Sequence, residues 1–257
     1  MNGKKIRLRR IMGGDGRVVM IPMDHGLSMG PEGLEDIAGI VHKVALGGAD
    51  SVLVHKGNAR FIKDDIGLLI MLNGSTALSI DARDRVRVGT VKEALALGAD
   101  GVSLQLNMGA VGEKEMLRDF GEISRECAEL GVPLLAMMYA RGPNIKKEEI
   151  EKHVPICVRA GVELGADIIK VPYPGRKAFE YAVKSANGVP VVIAGGAKSE
   201  NPRDVLHMVH ESIQAGGSGV SLGRNVFQAK DPTKMTRAIA AIVHKGKGVE
   251  DALGELR

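Results

Sequence analysis

One lysine stands in an apolar segment of this chain, and its chemistry depends on whether it is buried. Lys170 lies within residues 167–173, Asp-Ile-Ile-Lys-Val-Pro-Tyr, a run that is typical of a buried parallel strand. Burial disfavours the charged ammonium form, and a free amine can attack a carbonyl carbon and form a Schiff base. The alternative is a lysine at a strand end whose ammonium group reaches solvent along its aliphatic stem. The segment alone leaves both interpretations open.

A Schiff-base lysine needs neighbours that move protons, and two residues elsewhere in the chain are candidates. Tyr139 follows the apolar run 133–138 and offers a phenol, while Asp24 follows the run 18–23 and offers a carboxylate. The alternatives are a core tyrosine with a satisfied hydroxyl group and an aspartate that accepts hydrogen bonds at a cap or in a turn. If Lys170, Tyr139 and Asp24 lie close together in the folded protein, a shared chemical role is favoured.

The elements that must position these residues follow from a phrase that recurs along the chain. Its copies, Leu-Gly-Ala-Asp or a close variant followed by aliphatic residues, lie at 46–54, 97–104 and 164–171, and a looser copy lies at 215–222. Each copy follows a helical pattern, supplies a glycine where the helix would end, and enters a strand-like run. The copies are about 50 to 70 residues apart, which corresponds to two βα units per copy.

The intervening strands complete a set of eight. Strand-like runs lie near residues 18, 51, 77, 101, 133, 167, 190 and 219, and the third of them is Ala77–Asp81. Helical patterns separate most of them, at Glu35–Leu46, Val91–Leu97, Met116–Leu130, Glu148–Leu164 and Pro202–Ala215. Eight βα units within 257 residues predict a single (β/α)8 TIM barrel over residues 1–257, without a second domain. The glycine cluster at 13–16 precedes the first strand, which makes it a poor dinucleotide-binding turn.

Polar residues or glycines follow every predicted strand at its carboxyl end, where the active sites of barrels form. They are Asp24-His25, His55-Lys56, Asp81, Gln105 with Asn107, Tyr139 with Arg141, Lys170, Gly195-Gly196 and Gly223-Arg224. A barrel that serves only as a scaffold needs no such rim, so this placement favours an enzyme. The spacing assigns no role to Lys56 or His25.

The glycines after the last two strands indicate a phosphate site. Gly195-Gly196 and Gly223-Arg224 occupy the loops that commonly bind phosphate in barrels. Glycine lets backbone N–H groups approach phosphate oxygens, a short helix starting near Asn225 would add its positive end, and Arg224 can clamp the anion. The alternative is that these glycines only make tight turns.

Composition and charge narrow the class of protein. The net charge is +4, and the chain has no tryptophan, three tyrosines and four phenylalanines. Nucleic-acid binding needs a concentrated basic face with stacking aromatic side chains, and neither is visible, so an anionic small molecule is the expected partner.

The longest apolar run, Leu68–Leu72, is too short to span a membrane, and Cys127 and Cys157 have neither zinc nor redox spacing. We expect a cytoplasmic protein with reduced thiols and no metal site, in which His207 and His210 lie on a helix surface.

Several motifs, in their order along the chain, resemble those of the archaeal-type class I aldolase superfamily. They are 24–26 (Asp-His-Gly), 139–142 (Tyr-Ala-Arg-Gly), 169–171 (Ile-Lys-Val), 195–198 (Gly-Gly-Ala-Lys) and 223–228 (Gly-Arg-Asn-Val-Phe-Gln), and the resemblance covers nearly the whole chain. It implies that Lys170 forms the Schiff base, that Tyr139 donates protons and that Asp24 accepts them. It also implies substrate contacts at Asp24, His25, Gly26, Leu27, Ser28, Tyr139, Ala140, Arg141, Lys170, Gly195, Gly196, Gly223 and Arg224.

The resemblance further implies a transfer between carbonyl compounds that needs no metal or organic cofactor, because the iminium is the electron sink. The substrates are then a phosphorylated keto-sugar and a small aldehyde, on a route towards 3-dehydroquinate and the aromatic amino acids. Cleavage of fructose bisphosphate by the same three residues is the alternative, and a barrel that binds a sugar phosphate without catalysis is a more remote one. The superfamily also implies a ring-based homo-oligomer such as a decamer.

One position departs from the superfamily pattern. Ala140 stands where proline is typical, in the phrase Tyr-Pro-Arg-Gly. Proline would stiffen this turn, so its absence affects the rigidity of the loop and not the chemistry. The chain has no tryptophan, which slightly disfavours the fructose-bisphosphate aldolases of the superfamily.

Overall fold

A closed barrel of eight parallel strands forms the centre of the protein. The computed structural model describes residues 2–257, except the side chain of Lys147. The strands are β1 (Val18–Pro22), β2 (Ser51–His55), β3 (Gly67–Met71), β4 (Gly101–Met108), β5 (Leu134–Ala140), β6 (Ile168–Pro172), β7 (Val191–Ala194) and β8 (Gly219–Ser221). Each strand pairs in parallel with its neighbours in sequence, and β8 pairs with β1 to close the ring. The predicted (β/α)8 barrel is confirmed.

Helices surround the strands and include all five that the sequence predicts, with ends shifted by at most three residues. They are α1 (Asn2–Ile11), α2 (His25–Met29), α3 (Ile37–Leu46), α4 (Val91–Ala96), α5 (Glu113–Leu130), α6 (Ile150–Glu163), α7 (Arg176–Ser185), α8 (Pro202–Gln214), α9 (Arg224–Phe227), α10 (Pro232–Val243) and α11 (Val249–Gly254). Short 3₁₀ helices lie at Lys56–Phe61 and Lys147–Glu149. Within residues 2–257, no helix is both long and apolar enough to cross a membrane.

The prediction for the third strand was wrong. Residues 77–81 lie in a loop where Leu78 and Ile80 are fully exposed, and β3 is the apolar run Gly67–Met71 instead. A strand of a parallel barrel is buried on both faces, so a run without polar residues suits this position and the mixed run 77–81 does not. Asp81 therefore does not end a barrel strand, and its Oδ1 pairs with Nε of Arg83 at 2.8 Å.

Alternation along the strands separates two apolar layers. Side chains such as Met20, Leu69 and Ile168 fill the inside of the barrel, while the residues between them pack outward against the helices. In β6, Ile169 and Val171 belong to the outer layer, so the intervening Lys170 faces the interior. The period of the strand thus decides the direction in which this lysine points.

The glycine of the recurring phrase ends each helix in a conformation that few other residues adopt. In all four copies its φ lies between 83° and 90°, at Gly48, Gly98, Gly165 and Gly216. A side chain is strained there, which explains why glycine occurs in every copy. The turns agree with the helix-to-strand geometry expected from the phrase.

The aspartate of the phrase stabilises the start of a neighbouring strand. In three copies its carboxylate accepts a hydrogen bond of 2.7 to 3.0 Å from a backbone N–H: Asp50 from Val19, Asp100 from Leu68 and Asp167 from Leu134. The same carboxylates contact basic side chains at 2.7 to 3.0 Å: Asp50 contacts His244, Asp100 contacts Arg10 and Asp167 contacts Lys4. Because all three lie at the amino-terminal end of the barrel, away from the face where active sites form, we assign them to stability.

His244 bridges two carboxylates, which makes stability depend on pH. Its Nε2 lies 3.0 Å from Oδ2 of Asp50 and its Nδ1 lies 3.0 Å from Oδ2 of Asp15. The hydrogen bond to Asp50, together with that to Asp15, raises the pKa of His244 from 6.5 to about 9, against the opposing effect of partial burial. Since the folded pKa exceeds the unfolded one, this contribution is full below pH 6.5 and is lost as the pH rises through about 9.

We expect His244→Gln to lower the free energy of unfolding by about 1–3 kcal/mol near pH ~6, and by much less near pH ~10. Urea unfolding of the native protein and the variant at both pH values measures the difference. His42→Gln is the matched control, because His42 is mostly exposed and contacts a single carboxylate, Asp64, at 2.9 Å. A loss in His244→Gln of equal size at the two pH values would contradict the ion-pair role.

Candidate active site

A cavity of about 310 Å³ opens at the carboxyl end of the barrel strands. Ten of the predicted substrate contacts line it: Asp24, His25, Ser28, Tyr139, Arg141, Lys170, Gly195, Gly196, Gly223 and Arg224. Three others, Gly26, Leu27 and Ala140, lie beside these in the chain and outside the cavity wall, and Leu27 packs against Gly74. Residues from the ends of five strands therefore meet around one opening.

Lys170 reaches the cavity from inside the barrel. It is only 5% exposed, so the alternative of a lysine that extends into solvent is excluded. In register it lies beside Met137 of β5 and Val192 of β7, whose side chains belong to the interior apolar layer. An amine that is buried among apolar side chains and faces a cavity suits nucleophilic attack on a carbonyl carbon.

Tyr139 and Arg141 form the part of the wall that β5 supplies. The side chain of Tyr139 is buried, and the guanidinium carbon of Arg141 lies 4.0 Å from the centroid of its ring. This cation–π contact orients the ring and places a positive charge beside the phenol. Because Met137 pairs with Lys170, Tyr139 lies two residues further towards the opening on the adjacent strand. The phenol is thus placed to exchange a proton with a substrate bound at the amine.

The turn after β1 brings a carboxylate and an imidazole to the cavity. Asp24 precedes α2, but its side chain makes no capping hydrogen bond, so the role of helix cap is excluded. Nδ1 of His25 lies 3.8 Å from Oδ1 of Asp24. Burial lowers the pKa of His25, and the positive charges of Lys170 and Arg224 lower it further, against the attraction of Asp24. His25 is therefore a neutral imidazole near pH ~7, and Asp24 supplies the carboxyl group of the cavity wall.

Arg224 and Asn225 hold together the glycine loops that follow β7 and β8. Nη2 of Arg224 donates a hydrogen bond of 2.8 Å to the carbonyl oxygen of Gly196. Nδ2 of Asn225 donates to the carbonyl oxygen of Gly195 at 2.9 Å. These hydrogen bonds offset the partial negative charge of the two carbonyl oxygens, which therefore repel an anion at this rim less strongly.

Two glycines of this rim are required by their surroundings. A Cβ atom at Gly223 would lie 2.9 Å from Cε1 of His25 and 2.9 Å from the carbonyl oxygen of Pro22. Gly196 has a positive φ of 67°, at which a side chain is strained. Tight turns and close packing therefore account for both glycines, and the phosphate site stays a prediction.

One charged residue of the cavity, Arg85, is not predicted from the sequence. Arg85 lies between β3 and α4, beside a short antiparallel ribbon of Asn73–Gly74 with Val86–Arg87, and it lines the cavity. Its Nη1 donates to Oε1 of Gln105 in β4 at 2.9 Å. Patterns at strand ends cannot indicate such a residue, because the chain returns to the cavity through a long loop.

The charges of the cavity wall are unbalanced. Among the described residues that line it, four side chains are basic and one is acidic, namely Arg85, Arg141, Lys170 and Arg224 against Asp24. A wall of this kind in a partly enclosed site attracts anionic ligands. An anionic small molecule as the ligand stays a prediction.

Other groups considered from the sequence lie outside the cavity wall. The ammonium group of Lys56 pairs with Glu93 at 3.0 Å, and His207 is exposed on α8. Burial raises the pKa of Cys127 and of Cys157 to about 12, so both remain protonated thiols. Over the described part of the chain, no three His, Cys, Asp or Glu side chains are grouped so as to hold a metal ion.

The family of this chain follows from its similarity to known proteins. The model of the DeoC/LacD family of aldolases matches residues 18–229, which include all eight barrel strands. The chain belongs to this family. It is accordingly an enzyme of the class I aldolase type.

Relatives of this DeoC/LacD aldolase match it along nearly its whole length. The 2-amino-3,7-dideoxy-D-threo-hept-6-ulosonate synthase of Halobacterium salinarum is 40% identical over 255 residues, which cover 98% of this chain and 95% of that protein. The synthase 1 of the same name from Archaeoglobus fulgidus is 41% identical over 257 residues, with the same coverage of 98% and 95%. A solved archaeal fructose-1,6-bisphosphate aldolase, with its catalytic lysine bound to the carbinolamine intermediate of the substrate, matches with a TM-score of 0.88 and 31% identity. That match covers 93% of this chain and 99% of the other.

Proposed function

We propose that this aldolase makes 2-amino-3,7-dideoxy-D-threo-hept-6-ulosonate from 6-deoxy-5-ketofructose 1-phosphate and L-aspartate semialdehyde. The observation that carries the proposal is the buried Lys170, which faces a cationic cavity with Tyr139 and Asp24 in its wall. The 40% identity to a synthase of that name, over nearly the full chain, supports the same product. The product then feeds the formation of 3-dehydroquinate and the aromatic amino acids in the cytoplasm.

The first half of the reaction cleaves the donor sugar. Nζ of Lys170 attacks the ketone carbon next to the methyl end, and loss of water from the carbinolamine leaves an iminium. Tyr139 supplies the proton with which the hydroxyl group departs as water. Asp24 accepts the proton of the hydroxyl group on the β carbon, the adjacent carbon–carbon bond breaks, and its electron pair enters the iminium. Hydroxypyruvaldehyde phosphate leaves, and an enamine remains on Lys170.

The second half joins this enamine to the acceptor. The enamine carbon attacks the aldehyde carbon of L-aspartate semialdehyde, and the aldehyde oxygen takes the proton held by Asp24. The new carbon–carbon bond restores the iminium on Lys170. Water then adds to the iminium carbon, and departure of the amine releases the seven-carbon product. The iminium accepts the electron pair of the broken bond in the first half, and the enamine supplies that pair to the new bond in the second, so both halves take place on Lys170.

The charges of the substrates suit the cavity. The donor carries a phosphate and the acceptor carries a carboxylate, and besides Lys170 the wall presents three arginines against the single acidic side chain of Asp24. We place the donor phosphate at the loops of Gly195-Gly196 and Gly223-Arg224, because barrels commonly bind phosphate after their last two strands.

Cleavage of fructose bisphosphate is the second candidate function. It is supported by the TM-score of 0.88 to an archaeal fructose-1,6-bisphosphate aldolase, and the same lysine, tyrosine and aspartate would carry it out. The identity to that aldolase is 31%, against 40% to the synthase, so we favour the synthase.

Reduction with borohydride distinguishes these candidates. We expect an iminium on Lys170 to be trapped in the presence of 6-deoxy-5-ketofructose 1-phosphate, with little trapping by fructose 1,6-bisphosphate. Mass spectrometry of the modified peptide locates the adduct. The opposite preference would identify a fructose-bisphosphate aldolase. No adduct with either sugar would contradict Schiff-base chemistry and leave a barrel that only binds sugar phosphates.

A further inference from the structure

Arg85 carries hydrogen-bond donors that the described residues leave unused. The residue is only 7% exposed, and its Nη1 donates to Gln105, as described above. Its Nε and Nη2 are buried and have no hydrogen-bond partner within the described part of the chain. Unpaired buried donors cost stability, above all in a charged group. A ligand that accepts hydrogen bonds from both nitrogens recovers this cost on binding.

The two unused nitrogens form one edge of the guanidinium group. The N–H bonds of Nε and Nη2 along that edge are parallel and coplanar, an arrangement that a carboxylate matches with two hydrogen bonds. Arg85 is one of the side chains that line the cavity. The chemistry of the donor set therefore favours a carboxylate.

Amide side chains hold this arginine in place. Nε2 of Gln105 donates to Oδ1 of Asn107 at 2.9 Å, and Nδ2 of Asn107 donates to the carbonyl oxygen of Arg83 at 2.6 Å. Asn73 exchanges hydrogen bonds of 2.8 and 3.0 Å with the backbone of Gln105. The loop is thus tied to β4 at Arg83 and again at Arg85, which pre-organises the guanidinium group before any ligand binds.

Arg85 also lies across the barrel from the predicted phosphate loops. It is attached to β4, and in the closed ring of strands β3 and β4 stand opposite β7 and β8. Of the other two arginines of the wall, Arg224 donates from Nη2 to Gly196 and has one buried nitrogen, Nε, without a partner, and Arg141 covers the ring of Tyr139. Arg85 is thus the arginine of the wall with two buried, unpaired nitrogens on one edge, which a carboxylate can bind with two hydrogen bonds.

We propose that Arg85 binds the carboxylate of the acceptor aldehyde and so selects acceptors that carry one. This inference rests on the proposed function, in which the product named by the relatives is a 2-amino acid at one end. Arg85 holds the acceptor with its aldehyde carbon near the enamine on Lys170. Formation of the Schiff base with the donor does not need it.

Two acceptor aldehydes of equal chain length test the proposal. Succinate semialdehyde carries a carboxylate and butyraldehyde does not. In the native enzyme we expect kcat/KM for the transfer to favour succinate semialdehyde, and we expect Arg85→Gln to reduce that preference about 30-fold or more. Arg83→Gln is the matched control, because Arg83 lies on the same loop, pairs with Asp81 and is not part of the cavity wall. It should keep the native preference.

Arg85→Lys provides a second variant for the case that Arg85→Gln folds poorly. Lysine keeps the positive charge but lacks the planar edge, so we expect it to restore only part of the preference. The inference is overturned if the native enzyme does not distinguish the two aldehydes. It is also overturned if Arg85→Gln, or Arg85→Lys in its place, keeps the full preference.

Borohydride trapping separates this inference from the proposed function. We expect Arg85→Gln to keep the adduct of the keto-sugar phosphate on Lys170. Loss of that adduct in Arg85→Gln, with its retention in Arg83→Gln, would assign Arg85 to the donor phosphate and overturn the acceptor role. Absence of the adduct in the native enzyme would instead contradict the proposed function.

Discussion

Replacing Lys170 with methionine is expected to abolish turnover while the barrel remains folded. The variant Lys170→Met keeps most of the length of the side chain but has no amine, so neither a carbinolamine nor an iminium can form. We expect kcat to fall by about 10⁴-fold or more. Lys170 is buried among apolar neighbours, so loss of its polar amino group also removes a desolvation cost. The melting temperature, followed by circular dichroism, should therefore stay the same or rise.

Lys56→Met is the matched control for this experiment. Lys56 lies outside the cavity wall, and its ammonium group pairs with Glu93 at 3.0 Å on the surface. We expect native kcat and an intact borohydride adduct on Lys170. Normal turnover in Lys170→Met, or an adduct that persists on another lysine, would show that Lys170 is not the nucleophile.

Replacing Tyr139 with phenylalanine is expected to lower kcat by about 10²–10⁴-fold, the usual contribution of a positioned general acid. The variant keeps the aromatic ring, and with it the packing inside the barrel and the contact with Arg141. KM should change little, because the loss falls on proton transfer during formation and hydrolysis of the iminium. Steady-state kinetics with both substrates measure the two constants, and the adduct on Lys170 should still form, more slowly.

Tyr181→Phe removes a hydroxyl group of the same kind at a place where no chemistry is expected. Tyr181 lies on α7 and is mostly exposed, outside the cavity wall. We expect native kinetics from this variant. A native rate in Tyr139→Phe would remove Tyr139 from the mechanism, and the proton donor would then have to be sought among the other groups of the wall.

The barrel could be predicted because its local signals agree with its tertiary structure. The recurring phrase places a glycine where each helix must end with a positive φ, and an aliphatic run where a buried strand must begin. The third strand could not be placed in the same way, because the phrase does not mark it. Two runs were available between the first two copies, and the wholly apolar run Gly67–Met71 forms the buried strand, while the mixed run 77–81 forms an exposed loop.

The candidate site likewise contains residues that the sequence predicts and one residue that it does not. Candidate residues at or near the carboxyl end of a strand, such as Asp24, Tyr139 and Lys170, could be predicted from the sequence, because the carboxyl ends of barrel strands share one face. Most of the predicted contacts do line the cavity. Arg85 was missed because it reaches the cavity through a loop, and its position depends on a hydrogen bond to Gln105 on a different strand.

The sequence by itself determined the barrel, the strand that holds Lys170, and the rim of polar residues around it. These features depend on local patterns: the period of two in a strand, the glycine that ends a helix, and the residue types that follow. The tertiary structure decided which layer of the sheet Lys170 faces, that Asp24 makes no helix cap, and that Arg85 has two unpaired nitrogens on one edge. Those properties depend on packing and hydrogen bonds between residues that are distant in the chain, for which a single sequence carries no local signal.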